Sequence, residues 1–203
     1  MLGVDHHGLG SGPALSDRDW ETPLGPVAVD HELVRELDRP PVGIDEAAQS
    51  EEHSIEVQLP FLQYVLPRPR FVALQVRFGR FDYLREVGHV VRQAIRDRDV
   101  LLLASTDFSH YVAPRTAERL DRMAIDAILA RDARRLYDVV VGNEISMCGI
   151  APTTVLLAAL EGEPLTSRLL RWGHSGEAGP MRDVVGYASI ALASSSGGAP
   201  PVK

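Results

Sequence analysis

Three short segments of the sequence contain the residue types that metal binding and proton transfer require. The first has Asp5 followed by the adjacent pair His6 and His7, directly after a short apolar run. Imidazole is a common metal ligand, and a neighbouring carboxylate such as Asp5 could fix which ring nitrogen carries the proton. Successive side chains in extended backbone point to opposite sides, so only one histidine can face a given site. By itself, this segment fits a solvated polar turn better than a metal site.

The second segment follows a longer apolar run and contains Asp107, Ser109 and His110. Polar groups at the mouth of a sheet are costly unless a reaction or a hydrogen bond uses them. His110 could act as a general acid or base, with Asp107 as its orienting partner. The residues fit equally well an alternative in which Asp107 or Ser109 caps a helix and His110 lies at the surface.

The third segment contains Cys148, the only cysteine among 203 residues. A lone cysteine is usually a small buried apolar residue. Gly149 follows it and a predicted helix begins just beyond. A helix N-terminus favours the thiolate, which is the form that binds metals. A nucleophilic role for Cys148 with His110 is a further alternative. With a single cysteine the chain cannot form an internal disulfide, which is typical of a reducing cytoplasm.

Apolar periodicity predicts the elements that position these segments. Stretches with helical spacing alternate with short runs rich in valine, leucine and isoleucine. Asp30 and Ser54 are candidate N-caps, and His53 would then lie near the start of the second helix. We predict helices over residues 30–37, 54–66, 81–98, 114–130, 132–140 and 152–161, and strands at 71–76, 99–105, 165–172 and 184–192.

The alternation of strands and helices indicates an α/β fold. We expect a single domain over residues 1–193, with a mixed or mostly parallel central sheet flanked by helices. The run 99–105 is largely apolar, as strands buried on both faces are. Functional groups in such folds lie at the carboxyl ends of strands, where the chemistry-bearing segments occur. Residues 194–203, rich in serine, glycine and proline, are predicted to form a disordered tail.

The charge and hydropathy of the chain exclude several kinds of partner. A net charge of -7 repels phosphate groups. We therefore expect neither nucleic acid nor an anionic membrane surface as a partner. No run is long and apolar enough to cross a bilayer, and the first residues lack the pattern of a signal peptide. These features predict a cytoplasmic protein.

Five short segments stand out in their order along the chain. They are Asp5-His6-His7-Gly8, Thr22-Pro23-Leu24-Gly25, residues 52–60 (Glu-His-Ser-Ile-Glu-Val-Gln-Leu-Pro), residues 105–110 (Ser-Thr-Asp-Phe-Ser-His) and Cys148-Gly149. In this order they resemble the Memo family, called AmmeMemoRadiSam system protein B in prokaryotes. The resemblance extends from Gly3 to about Leu192, and the family is similar in fold to the class III (LigB-type) extradiol ring-cleavage dioxygenases.

The resemblance implies a mononuclear metal site. His6 matches the first histidine of the family's pair and Cys148 matches the cysteine of its Cys-Gly motif, and both are expected metal ligands. In the dioxygenases a glutamate takes the place of this cysteine and the metal is ferrous iron. A thiolate softens the site, so iron or copper is expected here. His110 matches a histidine that donates and accepts protons beside bound catechol, and Asp107 would line the same pocket.

One motif of the family has no match. Its Pro-His-Ala-Gly-Tyr-like segment supplies another histidine ligand on an early strand, and this chain starts just before the His-His pair. We therefore expect a Memo-like fold that lacks the first strand-helix unit, with that unit upstream of Met1. His6 and Cys148 would be the ligands present, and His7 or His53 could substitute for the missing one.

Two functions follow from the resemblance. The first is metal-dependent redox or oxygenase-like chemistry, in which His110 and Asp107 handle protons. The second is that of a non-catalytic binding protein, which keeps a vestigial pocket for a peptide or a small molecule. The prokaryotic family name implies association with a radical-SAM enzyme and an AMMECR-like protein.

Overall fold

The computed structural model of the protein describes residues 1–194. The predicted tail over residues 194–203 lies outside this range except for Ser194, which ends the last strand. The helices are α1 (His31–Leu37), α2 (Leu59–Val65), α3 (Phe81–Ile95), α4 (Pro114–Leu129), α5 (Ala133–Gly142) and α6 (Ile150–Ala159). The strands are β1 (Leu2–Val4), β2 (Ala14–Leu15), β3 (Trp20–Thr22), β4 (Gly25–Val29), β5 (Gly43–Ile44), β6 (Arg70–Phe71), β7 (Leu74–Val76), β8 (Leu165–His174) and β9 (Gly186–Ser194).

The described residues form two compact units. Unit 1 comprises Met1–Thr106 and Cys148–Ala159, and unit 2 comprises Asp107–Met147 and the residues from Leu160 onward. Unit 1 therefore contains β1 to β7 with α1, α2, α3 and α6, whereas unit 2 contains α4, α5, β8 and β9. Among residues 1–194, none of the helices has the length and hydropathy of a membrane-spanning segment.

The main sheet of unit 1 is mixed, which confirms the predicted α/β class. Its strand order is β1-β7-β2-β5. The β1–β7 and β2–β5 pairs are parallel, and the β2–β7 pair is antiparallel. A second sheet has the order β3-β4-β6. The single strand predicted over residues 71–76 is thus divided, because β6 pairs with β4 whereas β7 pairs with β1 and β2.

The prediction of a doubly buried strand over residues 99–105 is wrong. This segment makes one bridge, between Ala104 and Leu2, and its other residues lie outside named strands. Val100 and Leu101 are 37% and 65% exposed. They line an apolar cleft of about 240 Å³, to which α1, α2 and α3 also contribute residues. An apolar sequence can therefore face a cleft as well as a sheet interior.

Helices α3 and α6 pack against each other in unit 1, and their sequences differ because they are buried to different extents. α3 buries one face through Leu84, Val87 and Val91 and leaves the opposite face polar. α6 is apolar on all sides, and nearly all of its residues are buried. A Cβ at Gly88 would lie 2.6 Å from Ala158 Cβ, so only glycine permits this close approach without a shift.

The second predicted helix, over residues 54–66, is shorter than expected. A 3-10 turn occupies Glu56–Gln58 and α2 begins at Leu59, with Pro60 in its first turn, where proline is tolerated. Ser54 does not cap it, because the Ser54 hydroxyl instead accepts a hydrogen bond from the Val4 amide at 2.9 Å. The other five predicted helices are present, with bounds that differ by up to three residues.

Unit 2 combines the α4–α5 helix pair with a two-stranded antiparallel sheet. Pro114 begins α4, as predicted for a proline near the first turn, and Asp132 caps α5 by accepting from the Arg135 amide. β8 and β9 pair over nearly their whole length, from Leu165 opposite Ser194 to His174 opposite Gly186. The last two predicted strands therefore form a hairpin-like pair.

Candidate functional site

The His-His pair of unit 1 is organised by Glu52, which begins a segment that matches the family but was not among the predicted site residues. The His6 Nδ1 atom lies 2.8 Å from Glu52 Oε2. The backbone amides of His6 and His7 both donate to Glu52 Oε1, the latter at 3.1 Å. The Glu52 side chain is 1% exposed and the His6 side chain is 29% exposed. One buried carboxylate thus holds both the backbone and the ring of His6.

The packing around Gly3 brings Glu52 to this position. A Cβ at Gly3 would collide with the side chains of Gln75, Ile55 and Ser54, so the absence of a side chain lets these residues approach β1. The Ser54 hydroxyl accepts from Val4 N at 2.9 Å. The segment that carries Glu52 is therefore fastened to the end of β1, from which the His-His pair emerges.

The two predicted substitute ligands, His7 and His53, occupy different surroundings. The rings of His53 and His6 stack, with centroids 4.9 Å apart and planes 13° from parallel. One ligand atom each from His6, Glu52 and His53 lie within 4.8 Å of one another. His7 is exposed and contributes its backbone amide to Glu52. The structure brings His53 next to His6.

The prediction that Asp5 fixes the His6 tautomer is wrong, because Glu52 contacts the His6 ring. Asp5 Oδ1 instead accepts from the Gly8 amide at 2.7 Å, which closes the turn after the histidine pair. Asp5 is 4% exposed, and its Oδ2 atom has no hydrogen-bond partner among the described residues. A buried carboxylate oxygen without a protein donor is usually satisfied by a bound water molecule or a cation.

Cys148 belongs to unit 1 and lies two residues before α6. Its side chain is half-buried. The next residue, Gly149, donates its amide to Thr106 Oγ1 at 3.0 Å. A Cβ at Gly149 would collide with the Thr106 side chain, so the Cys-Gly pair requires glycine for this contact. The backbone that carries the thiol is therefore held against Thr106.

Asp107 and His110 are neighbours in unit 2. His110 Nε2 lies 3.7 Å from Asp107 Oδ2, and Nδ1 lies 2.6 Å from the carbonyl oxygen of Ser146. The His110 amide also donates to Ser146 Oγ at 2.7 Å. A carbonyl only accepts, so Nδ1 carries a proton, and Nε2 is the ring nitrogen that faces Asp107. Such an imidazole can accept a proton at Nε2 and return it.

Asp121 of α4 supports the loop that carries this pair. It is fully buried. Its Oδ1 accepts from the Ser109 amide at 2.9 Å and also from the Ser109 hydroxyl. Its Oδ2 accepts from Trp172 Nε1 at 2.9 Å. A Cβ at Gly186 would collide with this carboxylate, so β9 contributes a glycine where Asp121 approaches it.

Two tyrosines lie in the same part of unit 2. Tyr111 follows His110 with a φ of 55°, in the left-handed region that non-glycine residues seldom adopt. Burial, the Asp107 carboxylate and Tyr111 together raise the pKa of Tyr187 above its ordinary value. Tyr187 is therefore a neutral phenol that can donate a hydrogen bond at physiological pH.

Comparison with known proteins shows the family. The family model described as "Memo-like protein" matches residues 1–191. The chain belongs to the Memo family. It is 39% identical over 198 residues to a MEMO1 family protein of Methanopyrus kandleri, covering 94% of this chain and 70% of that protein. It is 38% identical over 199 residues to a MEMO1 family protein of Methanocaldococcus jannaschii, covering 93% and 69% of the two chains.

Membership in the Memo family confirms the resemblance drawn from the five sequence segments. A third relative, a MEMO1 family protein of Methanococcoides burtonii, is 39% identical over 195 residues, covering 94% of this chain and 74% of that protein. All three relatives are described by family alone. The roles of His6, Cys148, Asp107 and His110 therefore stay predictions.

We expect Asp121→Asn to destabilise unit 2. If the oxygen of the new amide stays on Ser109, its NH₂ group faces the Trp172 donor, and the mismatch costs about 1–3 kcal/mol of unfolding free energy. Denaturant unfolding of the variant measures this loss. The control is Asp126→Asn in the same helix. Asp126 forms an ion pair with the solvent-exposed Arg122, and the loss of such a pair costs about 0–1 kcal/mol. Equal stabilities of the two variants would contradict a supporting role for Asp121.

Proposed function

We propose that this Memo-family protein binds a mononuclear iron or copper ion through His6 and Cys148 and performs redox or oxygenase-like chemistry. The observation that carries the proposal is the state of His6, whose ring is partly exposed while its backbone and Nδ1 are held by a buried carboxylate. Metal-binding histidines characteristically have their second ring nitrogen fixed in this way. A histidine in a solvated turn has no need of such an arrangement.

The donor set fits such a metal. One imidazole and one thiolate provide nitrogen and sulfur ligands, which suit iron and copper better than magnesium or calcium. His53 stacks on His6 and offers a second imidazole. Asp5 contributes a buried oxygen without a partner among residues 1–194, one residue before His6. A reducing environment would keep the Cys148 sulfur unoxidised, and metal binding would favour its deprotonated form.

The other candidate residues would move protons. When bound, the metal ion would supply Lewis-acid and one-electron chemistry. His110, with Nδ1 fixed on Ser146, would take a proton from an acidic hydroxyl at Nε2 and return it later. Asp107 would stabilise the imidazolium form, since its carboxylate lies 3.7 Å from Nε2. Tyr187, as a neutral phenol, would offer a hydrogen bond to a substrate oxygen.

We expect His6→Ala and Cys148→Ser each to lower metal content by at least about tenfold, because each removes a proposed ligand. Metal analysis of purified protein, before and after loading with Fe²⁺ or Cu⁺, measures the effect. His31→Ala is the control, since His31 is exposed at the start of α1. Wild-type metal content no higher than that of His6→Ala would contradict the proposed site.

We expect His110→Ala to slow oxygen uptake with catechol as the probe substrate by about 10²–10⁴-fold, the usual contribution of a general acid-base group. Its metal content should match that of the wild type, because His110 is not a proposed ligand. His89→Ala, on the exposed face of α3, serves as the control and should retain full activity. If iron-loaded wild type consumes no more oxygen than the metal-free protein, the oxygenase-like assignment fails.

A binding function is the second candidate, and exposed aromatic residues in unit 1 favour it. Phe61 and Tyr64 on α2 are 70% and 86% exposed, and Val65 beside them is 66% exposed. Aromatic side chains left in solvent are typical of contact surfaces for other proteins. A radical-SAM enzyme and an AMMECR-like protein are the proposed partners. The peptide or small molecule bound in the pocket would then be held without turnover.

We expect the combined Phe61→Ser and Tyr64→Ser changes to reduce co-purification with such partners by roughly tenfold or more, as loss of a central aromatic contact does. Leu24→Ser is the matched control, because Leu24 is also apolar and 60% exposed but lies in the β3–β4 turn. Unchanged recovery of both partners with the double variant would remove α2 as the contact surface.

A further inference from the structure

Glu52 is a buried carboxylate whose two oxygens are both engaged by the His-His pair. Oε1 accepts hydrogen bonds from the backbone amides of His6 and His7, and Oε2 lies 2.8 Å from His6 Nδ1. Only 1% of the side chain is exposed. Burying a carboxylate is costly unless donors satisfy its oxygens, and these three N–H groups do so. The Glu52 carboxylate is thus bound by the His-His pair, with two of the three contacts made by His6.

This contact determines which nitrogen of His6 carries the proton. An ionised carboxylate only accepts hydrogen bonds, so the contact at 2.8 Å requires a proton on Nδ1. In the neutral ring the lone pair then lies on Nε2. We propose that Glu52 is a positioning residue, which holds His6 in the Nδ1–H tautomer and thereby presents Nε2 as the ligand atom for a metal ion.

The geometry also fixes the direction in which Nε2 points. Glu52 contacts the backbone and the ring of the same residue, so it restricts the rotation of the His6 side chain from both ends. The His53 ring lies 4.9 Å away and nearly parallel, which restricts the tilt of the His6 plane. A ligand held in one tautomer and one orientation loses little conformational entropy when it binds a metal ion.

Glu52 itself is a poorer choice of ligand, although its oxygens lie within 4.8 Å of donor atoms of His6 and His53. To bind a cation directly, the carboxylate would have to release hydrogen bonds that satisfy it in a buried place. The exposed atoms of this cluster belong to the two histidines, whereas Glu52 is buried. The positioning role therefore preserves contacts that the ligand role would break.

The test is Glu52→Gln in the full chain, because the amide reverses one donor and keeps the shape. Its oxygen can still accept from the two backbone amides, and its nitrogen then donates to Nδ1. The His6 proton moves to Nε2, where it blocks coordination. The opposite orientation of the new amide is unfavourable, because its NH₂ group would then face the two backbone N–H groups, which are also donors. We expect Fe²⁺ affinity, measured anaerobically by competition with a chromophoric chelator, to fall about 10- to 100-fold.

The tautomer is read directly from the ¹⁵N chemical shifts of the two His6 ring nitrogens in metal-free protein. We expect the protonated nitrogen to be Nδ1 in the wild type and Nε2 in Glu52→Gln. Glu51→Gln is the matched control, since Glu51 is the preceding residue and is exposed. It should leave both Fe²⁺ affinity and tautomer unchanged.

The outcomes separate this proposal from the metal function on which it rests. Weaker Fe²⁺ binding by Glu52→Gln with an unchanged tautomer would make Glu52 a ligand and overturn the positioning role. Unchanged affinity with an unchanged tautomer would also overturn it. If the wild type binds no Fe²⁺, the proposed metal function fails, and the nitrogen shifts alone decide whether Glu52 controls His6.

Discussion

A carboxylate can leave water only if hydrogen-bond donors replace its hydration, and in unit 1 this constraint falls on Glu52. Three donors meet it, and all three come from His6 and His7. Leaving a buried acceptor without its donors typically costs about 1–3 kcal/mol, and more for a charged group, because the lost hydration is not replaced. The conformation of the His-His segment is therefore coupled to the stability of the fold around Glu52. A segment that looks like a polar turn is consequently ordered.

The same principle operates separately in unit 2. Asp121 is fully buried and receives donors from Ser109 and Trp172. Ser109 lies between Asp107 and His110, so these candidate proton-transfer groups have a defined geometry although neither belongs to a helix or strand. In each unit a buried acid fixes a loop residue that lies beside the candidate chemistry.

The sequence predicted the α/β class, the family and most helix positions, because these depend on periodicity and on ordered motifs. It failed where the outcome depends on long-range contacts. The apolar run 99–105 looked doubly buried, yet Leu101 faces a cleft, and periodicity alone cannot distinguish the two. Asp5 was the predicted partner of the histidine pair because it is adjacent in the sequence. The true contact spans 46 residues, and only the folded chain brings it together. A signal for Glu52 was present, since it directly precedes His53 in a segment that matches the family.

His6 and His110 show how different acceptors prepare similar rings for different tasks. In both rings Nδ1 forms a hydrogen bond with an acceptor that is held in place, and this leaves Nε2 available. The acceptor of His110 is the neutral Ser146 carbonyl, which orients the ring with little added charge. The acceptor of His6 is an anion out of contact with water, which makes the ring a stronger electron donor. A stronger donor suits a metal ligand, whereas a proton-transfer group needs above all a fixed ring orientation that directs its free nitrogen. The difference between the two acceptors therefore supports metal binding at His6 and proton transfer at His110.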